Sequence, residues 1–313
     1  MDLKPVREAF GEALAELGAS HTDVAVVDCD LSSATKTGKF GNTFPKRFFQ
    51  FGIQEANAIG VSAGLAISGF RPFVASFACF ITGRYDQIRI SVCGNEAPVV
   101  IVGTHAGLAI GKDGATQMGL EDVNLMRGLP NMVVLQPADH IETREMMKYI
   151  VSSRHPTYLR IGRQPVPNMN KENYKFRFGK GVTLVRGNDL AIIASGGMVY
   201  VATEAAKELK EKGINARVIN IHTIKPIDRK IIIKAAKETG GIFTLEDHNV
   251  IGGLGSAVSE VIADEGLAKP VKRWGVPDVF GESGDPKDLY KKHKLDKKGV
   301  VGEVVKFYKK INK

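Results

Sequence analysis

The stretch Phe48-Phe49-Gln50-Phe51-Gly52-Ile53-Gln54-Glu55-Ala56-Asn57-Ala58-Ile59-Gly60 contains a short apolar strand, a turn and the start of a helix. The helix is predicted to continue to Ser68 through residues that are almost all small or apolar. Because an isolated carboxylate is costly to remove from water, we expect Glu55 to be held neutral or to have a ligand partner. An ordinary acidic residue in the first turn of a helix is the alternative interpretation.

The same alternation of strands and helices continues on both sides of this stretch. It predicts an α/β fold with a mostly parallel sheet, because parallel strands are joined by helical crossovers. The predicted strands lie at residues 24–28, 48–51, 72–77, 98–103, 132–135 and 157–161, and the other helices at 6–17, 85–92 and 143–151.

The segment 164–170 carries two prolines and several turn-forming residues, which is typical of a linker. After a strand-like segment near 176–185, strands and helices alternate again from Leu190 to Trp274. The sequence therefore predicts two doubly wound domains, the second smaller than the first. We place the first domain at 1–166, the linker at 167–185 and the second domain at 186–313.

The composition is that of a soluble globular protein, with 313 residues and a formal net charge of +9. No apolar run has the length of a membrane span, and the first residues lack the apolar core of a signal peptide. The three cysteines are scattered, which fits a reducing compartment. We therefore expect a cytoplasmic protein that is not associated with a membrane.

The positive charge does not by itself indicate nucleic-acid binding. The lysines are spread over helix faces and the segment 287–313, and no recognisable nucleic-acid module is present. We interpret the charge as favouring solubility and the attraction of phosphorylated small molecules or another chain.

Four features follow predicted strands of the first domain, where sites of parallel α/β proteins usually form. They are Glu55, the aromatic segment Ser76–Phe80, the polar glycine-rich loop Thr104–Gln117, and Arg163. Each also has an ordinary structural interpretation, such as core packing of the aromatic rings or a surface ion pair of the arginine. Their occurrence together at one end of a sheet indicates a functional site.

Several common sites are not indicated by the sequence. It lacks a Walker loop, a dinucleotide-binding glycine fingerprint, a nucleophile elbow and a cluster with metal-ligand spacing. In the second domain, Glu246-Asp247-His248 and Gly252–Gly255 predict a tight turn at the start of a helix.

On these motifs, the chain resembles the C-terminal half of a transketolase over nearly its whole length. The strongest parts are Phe51–Glu55, Ser76–Phe80, Thr104–Thr116 and Gly162–Gln164. The resemblance implies a pyrimidine-binding domain followed by a transketolase C-terminal domain. It also implies thiamine diphosphate as the cofactor and transfer of a two-carbon ketol unit from a ketose phosphate to an aldose phosphate.

The resemblance also implies roles for individual residues. Glu55 matches the catalytic glutamate that hydrogen-bonds N1′ of the cofactor's aminopyrimidine, a task that suits a carboxyl held neutral. Phe80 matches the aromatic residue that packs on the pyrimidine, and Phe77 walls the same pocket. Gln117 stands where the family usually has a histidine near the cofactor, and glutamine cannot transfer protons.

Three further positions match substrate-binding residues of the family. His105 and Asp113 match residues at the sugar hydroxyl and phosphate region, and Arg163 matches a residue at the phosphate. Gly83 stands where many relatives have a larger side chain, so the substrate preference is left open.

The family's diphosphate and metal motif, Gly-Asp-Gly followed by asparagine, does not occur in this sequence. We therefore expect an N-terminal transketolase subunit to hold the diphosphate and a Mg or Ca ion, with no metal ligand on this chain. The expected assembly is a heterotetramer with the cofactor between the two chain types.

Three alternatives stay open at this point. Arg84–Gln87 and Ala106-Gly107 favour a 1-deoxyxylulose-5-phosphate synthase, whereas Thr104-His105 favours transketolase. The beta chain of a 2-oxo-acid dehydrogenase also lacks the diphosphate motif. A non-catalytic partner subunit is the third, although such a scaffold needs neither Glu55 nor Arg163.

Overall fold

The computed structural model describes residues 3–312 and contains two α/β units. Its strands are β1 (Leu3–Pro5), β2 (Val24–Asp28), β3 (Phe48–Gln50), β4 (Arg71–Phe77), β5 (Val100–Ala106), β6 (Val133–Leu135), β7 (Thr157–Gly162), β8 (Pro165–Pro167), β9 (Val182–Val185), β10 (Leu190–Ala194), β11 (Ala216–Asn220), β12 (Thr223–Lys225), β13 (Ile242–Asn249) and β14 (Val271–Val276).

Helices cover most of the remaining chain. They are α1 (Val6–Ser20), α2 (Ser32–Thr35), α3 (Gly38–Thr43), α4 (Glu55–Ile67), α5 (Ala78–Thr82), α6 (Tyr85–Gln87), α7 (Asp122–Arg127), α8 (His140–Ser152), α9 (Met198–Glu211), α10 (Arg229–Glu238), α11 (Leu254–Asp264), α12 (Pro286–Lys292) and α13 (Lys297–Ile311). A π-helical segment, Ile88–Cys93, continues α6, and 3₁₀ turns lie at Pro45–Arg47, Leu108–Asp113 and Ala115–Gln117.

The first sheet has seven strands in the order β12-β6-β7-β5-β4-β2-β3, and all pairs are parallel except β12 with β6. Its central strands β2, β4 and β5 are buried along their whole length. Two apolar clusters cover its two faces, since helices pack on both sides of a parallel sheet. The predicted α/β class with a mostly parallel sheet is confirmed.

The second sheet has five strands in the order β14-β13-β10-β11-β9, parallel except for β9. The predicted smaller α/β unit is therefore present. At the start of its helix α11, the Glu246 carboxylate accepts hydrogen bonds from the amides of Leu254 and Gly255, at 2.7 and 2.8 Å. This confirms the predicted tight turn before a helix.

The two units are joined by more than the connecting chain. Strand β12 belongs in sequence to the second unit, yet it pairs antiparallel with β6 at the edge of the first sheet. Strand β8 lies just before the connecting segment and pairs with β1 at the start of the chain. Asp139 accepts hydrogen bonds from the amides of Met169 and Asn170, which fixes the connecting segment against the first unit.

Two local features differ from the sequence interpretation. Strand β5 runs to Ala106, so Thr104 and His105 lie in the sheet rather than in the following loop. Helices α12 and α13 occupy the lysine-rich segment, where Val300, Val304 and Phe307 supply an apolar face at helical spacing.

No helix within residues 3–312 is long and apolar enough to cross a membrane.

Candidate functional site

Glu55 is the first residue of α4, and its side chain is only 4% exposed. The Ser76 hydroxyl, at the end of the neighbouring strand β4, donates a hydrogen bond to Glu55 Oε1 at 2.9 Å. Among the described residues, Ser76 is the only hydrogen-bond partner of this carboxyl group. Within the described residues, Oε2 therefore has no hydrogen-bond partner and is available to a ligand.

An aromatic wall, formed by Phe77 and Phe80, directly follows Ser76 in the chain. Phe77 ends β4 and Phe80 lies one helical turn further, in α5, so that both rings project from the same side. Their ring centroids are 5.6 Å apart and the ring planes differ by 16°, a stacked arrangement. Phe77 is buried and Phe80 half-buried, so that aromatic surface stays available for a planar ligand ring.

His105 packs on the other side of Phe77, with ring centroids 4.2 Å apart. It has a φ of 56°, unusual for a residue with a side chain, and it lies where the pairing of β5 with β7 shifts register. The irregularity lies at a residue that packs on the aromatic wall, and strained backbone of this kind is often found in functional sites.

The hydrogen bonds of His105 define its tautomer. Arg7 Nη1 lies 3.2 Å from His105 Nε2, and since a guanidinium can only donate, Nε2 accepts. The proton is therefore on Nδ1, which lies 3.0 Å from Thr104 Oγ1. Burial, together with the nearby charges of Arg7 and Arg163, lowers the pKa of His105 to about 3. The imidazole is neutral at physiological pH.

Arg7, Lys36 and Arg163 lie close enough to His105 for their positive charges to lower its pKa. We call these three residues the cationic corner. The Arg7 Nε atom is buried and has no hydrogen-bond partner within residues 3–312. Arg163 donates to the carbonyl oxygen of Ile110 at 2.6 Å, and its side chain is exposed. This arrangement places positive charge near His105, which suits an anionic ligand group.

The sequence interpretation did not identify Arg7. It lies in the amphipathic helix α1, where an arginine normally faces solvent, and only the packing of α1 beside β5 brings it to His105. No local motif signals this contact.

Asp113 and Gln117 lie at the ends of the two 3₁₀ turns that follow β5. Asp113 is exposed, and Gln117 is half-buried beside Thr116, whose hydroxyl is 3.4 Å from Gln117 Oε1. The structure thus links Glu55 to Ser76, and Phe77, the next residue in the chain, packs on both Phe80 and His105. Asp113 and Gln117 belong to the loop that borders these residues.

A buried ion pair lies where the two units meet. Arg160 donates to both carboxylate oxygens of Asp122, at 2.7 and 3.0 Å, and the Tyr158 hydroxyl donates to the same carboxylate at 2.6 Å. Arg160 also donates to the carbonyl oxygen of Asp247 in the second unit. Burial acts to raise the pKa of Asp122, but Arg160 outweighs it and holds that pKa below its usual range.

The described residues do not contain three or more His, Cys, Asp or Glu side chains grouped so that they could hold a metal ion. The carboxylates of the site are instead paired with hydroxyl, amide or guanidinium donors.

The neutral His105 has a consequence for stability. The unfolded imidazole has a pKa of about 6.5, so between that value and about 3 the unfolded chain binds more protons than the folded chain. The free energy of unfolding therefore rises with pH across this window. We expect His105→Gln to reduce this slope by up to about 1.4 kcal/mol per pH unit, the contribution of one bound proton.

Urea unfolding at several values between about pH 4 and pH 7 measures this slope. The matched control is His155→Gln, which changes an exposed histidine. Equal slopes for the His105 variant and the wild type would contradict a buried neutral imidazole.

Comparison with known proteins agrees with this geometry. Residues 4–169 match the transketolase pyrimidine-binding domain, and residues 179–300 match the transketolase C-terminal domain. A Methanocaldococcus jannaschii protein, named provisionally as a transketolase C-terminal section, is 43% identical over 98% of this chain and 97% of its own length. One of the subunits of an apulose-4-phosphate transketolase from Phocaeicola vulgatus is 38% identical over 97% of each chain.

A solved structure, described as a split gene transketolase in an inactive beta4 tetramer, superposes with a TM-score of 0.90. It is 45% identical and covers 96% of this chain and 97% of its own. A 1-deoxy-D-xylulose-5-phosphate synthase of Geobacter sulfurreducens is 39% identical over 95% of this chain, which spans 47% of that protein.

A pyrimidine-binding α/β unit followed by a second α/β unit defines a class of chain that works with thiamine diphosphate. The chain belongs to the transketolase family. It carries that family's pyrimidine-binding domain and C-terminal domain, and it is similar to split-gene members over nearly their full length.

Proposed function

We propose that this chain is the C-terminal subunit of a cytoplasmic, two-chain transketolase. Its reaction moves a two-carbon ketol unit from a ketose phosphate to an aldose phosphate. The observation that carries the proposal is the buried Glu55 carboxyl group, held by Ser76, together with the two stacked aromatic rings that follow Ser76 in the chain. A structural acid would be expected to have more donors or to face solvent.

The residues present fit the pyrimidine end of thiamine diphosphate. A buried carboxyl with Oε2 available can hydrogen-bond a ring nitrogen, and in its protonated form it donates. Phe80 has exposed ring surface on which a planar heterocycle can stack. We infer that Glu55, Phe77, Phe80 and Gln117 bind this end of the cofactor.

When bound, the cofactor supplies the nucleophilic carbon that accepts and releases the ketol unit. Glu55 holds a proton at the pyrimidine nitrogen, and Ser76 keeps the carboxyl group oriented toward it. Phe77 and Phe80 exclude water from this contact, which strengthens the hydrogen bond. Gln117 can orient a polar group but cannot act as a proton donor in acid–base chemistry.

Substrate recognition is assigned to the residues near His105, which packs on Phe77. Arg7 and Arg163 offer guanidinium donors to a phosphate, and the neutral His105 orients Arg7 by accepting its hydrogen bond. Arg7 is thus added to the substrate-binding residues His105, Asp113 and Arg163. Asp113 is proposed to accept a hydrogen bond from a sugar hydroxyl, since an exposed carboxylate is an acceptor only.

The diphosphate and its Mg or Ca ion are assigned to an N-terminal transketolase subunit. Support comes from the sequence, which lacks the family's diphosphate motif, and from relatives that are themselves named as sections or subunits. The proposed assembly is a heterotetramer with two copies of each chain. Sugar phosphates are the proposed substrates.

The decisive experiment mixes the chain with a diphosphate-binding transketolase subunit, thiamine diphosphate and Mg²⁺. We expect turnover of xylulose 5-phosphate with ribose 5-phosphate, and none with this chain alone. Turnover only of pyruvate with glyceraldehyde 3-phosphate would instead identify a synthase. That second function is favoured by the 39% identity to the Geobacter sulfurreducens enzyme and by Arg84–Gln87.

Complex formation without any turnover, in a mixture whose partner is active with its own subunit, would support a non-catalytic scaffold. Such a result would overturn the proposed function.

A further inference from the structure

The second unit makes a direct contact with the loop that borders the proposed site. Asp247, at the end of β13, accepts a hydrogen bond from the backbone amide of Leu108 at 3.0 Å. The Tyr290 hydroxyl, in α12, donates to the other oxygen of the same carboxylate at 2.6 Å. The contact is close, because a Cβ atom at Gly107 would overlap the Asp247 carboxylate. Asp247 therefore holds the loop where it leaves β5.

Further contacts continue along the substrate loop, residues 107–114. The Ser283 hydroxyl donates to the carbonyl oxygen of Lys112 at 2.6 Å. Pro286 packs on Gly111 so closely that a Cβ atom there would be 2.9 Å from the proline ring. The second unit thus contacts the loop at its beginning, its middle and near its end.

The apolar side chains of the loop also pack against the second unit. Leu108 and Ile110 are fully buried in a cluster that is built mostly from the second unit, including Val276 and Leu289. Lys112 and Asp113 are exposed. Packing against the second unit therefore sets which side chains of the loop are buried and which stay exposed.

The loop has little conformational preference of its own. Gly107, Gly111 and Gly114 all have positive φ, at 84°, 75° and 81°, and glycine leaves the backbone free to adopt many other conformations. From the first unit, Arg163 donates to the carbonyl of Ile110, and the carbonyl of Gly119 accepts from the Gly107 amide. The conformation that presents Asp113 thus depends largely on contacts from the second unit.

We propose that Asp247 and Tyr290 are positioning residues, through which the C-terminal domain sets the conformation of the substrate loop and hence the affinity for the sugar phosphate. This inference deepens the proposed function and rests on it for the role of Asp113. It gives the second unit, which contributes no residue to the cofactor contact, a defined part in the reaction.

The test is the variant Tyr290→Phe, which removes one hydroxyl and keeps the ring that packs on the apolar cluster. Hydrogen–deuterium exchange of the full chain reports the loop directly. We expect the amides of residues 107–114 to exchange about fivefold faster, the order of effect of one net hydrogen bond. The matched control is Tyr308→Phe on α13, whose hydroxyl has no hydrogen bond within the described residues.

Kinetics of the reconstituted complex supply the second readout. We expect the KM for the sugar phosphate to rise about threefold to tenfold, with kcat within about twofold and thiamine diphosphate affinity unchanged. Asp247→Asn should have a KM close to that of the wild type, because its side-chain amide can accept from Leu108 and donate to the Tyr290 hydroxyl. A loss of kcat with unchanged KM would overturn the inference.

The exchange measurement separates this inference from the proposed function. If the wild-type complex does not transfer ketol units but Tyr290→Phe still accelerates loop exchange, the proposed function fails and the positioning contact stands. If exchange and KM both equal those of the wild type, the positioning role is wrong, whatever the reaction.

Discussion

Glu55→Gln should lower the turnover number of the reconstituted enzyme by about 10²- to 10⁴-fold, the usual range for a positioned acid–base group. Glutamine has nearly the same shape, and its carbonyl oxygen can still accept from Ser76. It cannot hold a transferable proton at a ring nitrogen. We therefore expect a folded, assembled and nearly inactive complex.

The measurement is kcat with saturating cofactor and sugar phosphates, together with the extent of complex formation by size-exclusion chromatography. The matched control is Glu211→Gln, which makes the same chemical change at an exposed position on α9. Wild-type turnover in the Glu55 variant would remove the main support for the proposed chemistry. A variant that fails to assemble is distinguished by chromatography.

The second large effect is on stability. Arg160→Met should lower the free energy of unfolding by about 3–5 kcal/mol, because it leaves the fully buried Asp122 carboxylate without its cation. A domain typically has about 5–15 kcal/mol of stability in total, so the loss is severe. Urea unfolding at one fixed protein concentration measures it, since assembly also affects stability.

Two companion variants sharpen this test. Asp122→Leu combined with Arg160→Met removes both charges and should recover much of the lost stability, because no unpaired charge is then buried. Arg154→Met breaks an exposed ion pair with Asp23, and the expected loss is at most about 1 kcal/mol. Equal losses for Arg154→Met and Arg160→Met would contradict this account of the buried pair.

Much of the architecture could be predicted because its elements have strong local signals. Valine-rich β2 and the small-residue helix α4 were placed within one residue of their observed ends. Such segments agree with their tertiary surroundings, so local pattern and final structure coincide.

Other elements depend on contacts that no local pattern encodes. Strand β12 has three residues and exists because it pairs with β6, far away in the sequence. His105 was expected in a loop, but the pairing of β5 with β4 and β7 extends the strand through it. Helix α13 had a readable apolar periodicity, which the abundance of lysines obscured.

The residues of the candidate site also fall into those that local motifs predict and those that only distant contacts bring in. Glu55, Phe77 and Phe80 each lie in a recognisable local motif. In the structure, Glu55 contacts Ser76, the residue before Phe77, and Phe77 stacks on Phe80. Arg7 and Asp247 reach the site from other elements, about 100 and 140 residues away from their partners in the sequence. Contacts over such separations are set by packing, which a single sequence does not display.

The pairing of β12 with β6 makes the sequence boundary between the units a poor place to divide the gene. A fragment ending near residue 180 would lose the outermost strand of its own sheet and expose the bare rim of β6 to self-association. The pairing therefore favours keeping both units in one polypeptide. Replacing either unit with that of another protein would remove the pairing of β12 with β6. A substitute strand would then be needed at this edge of the sheet.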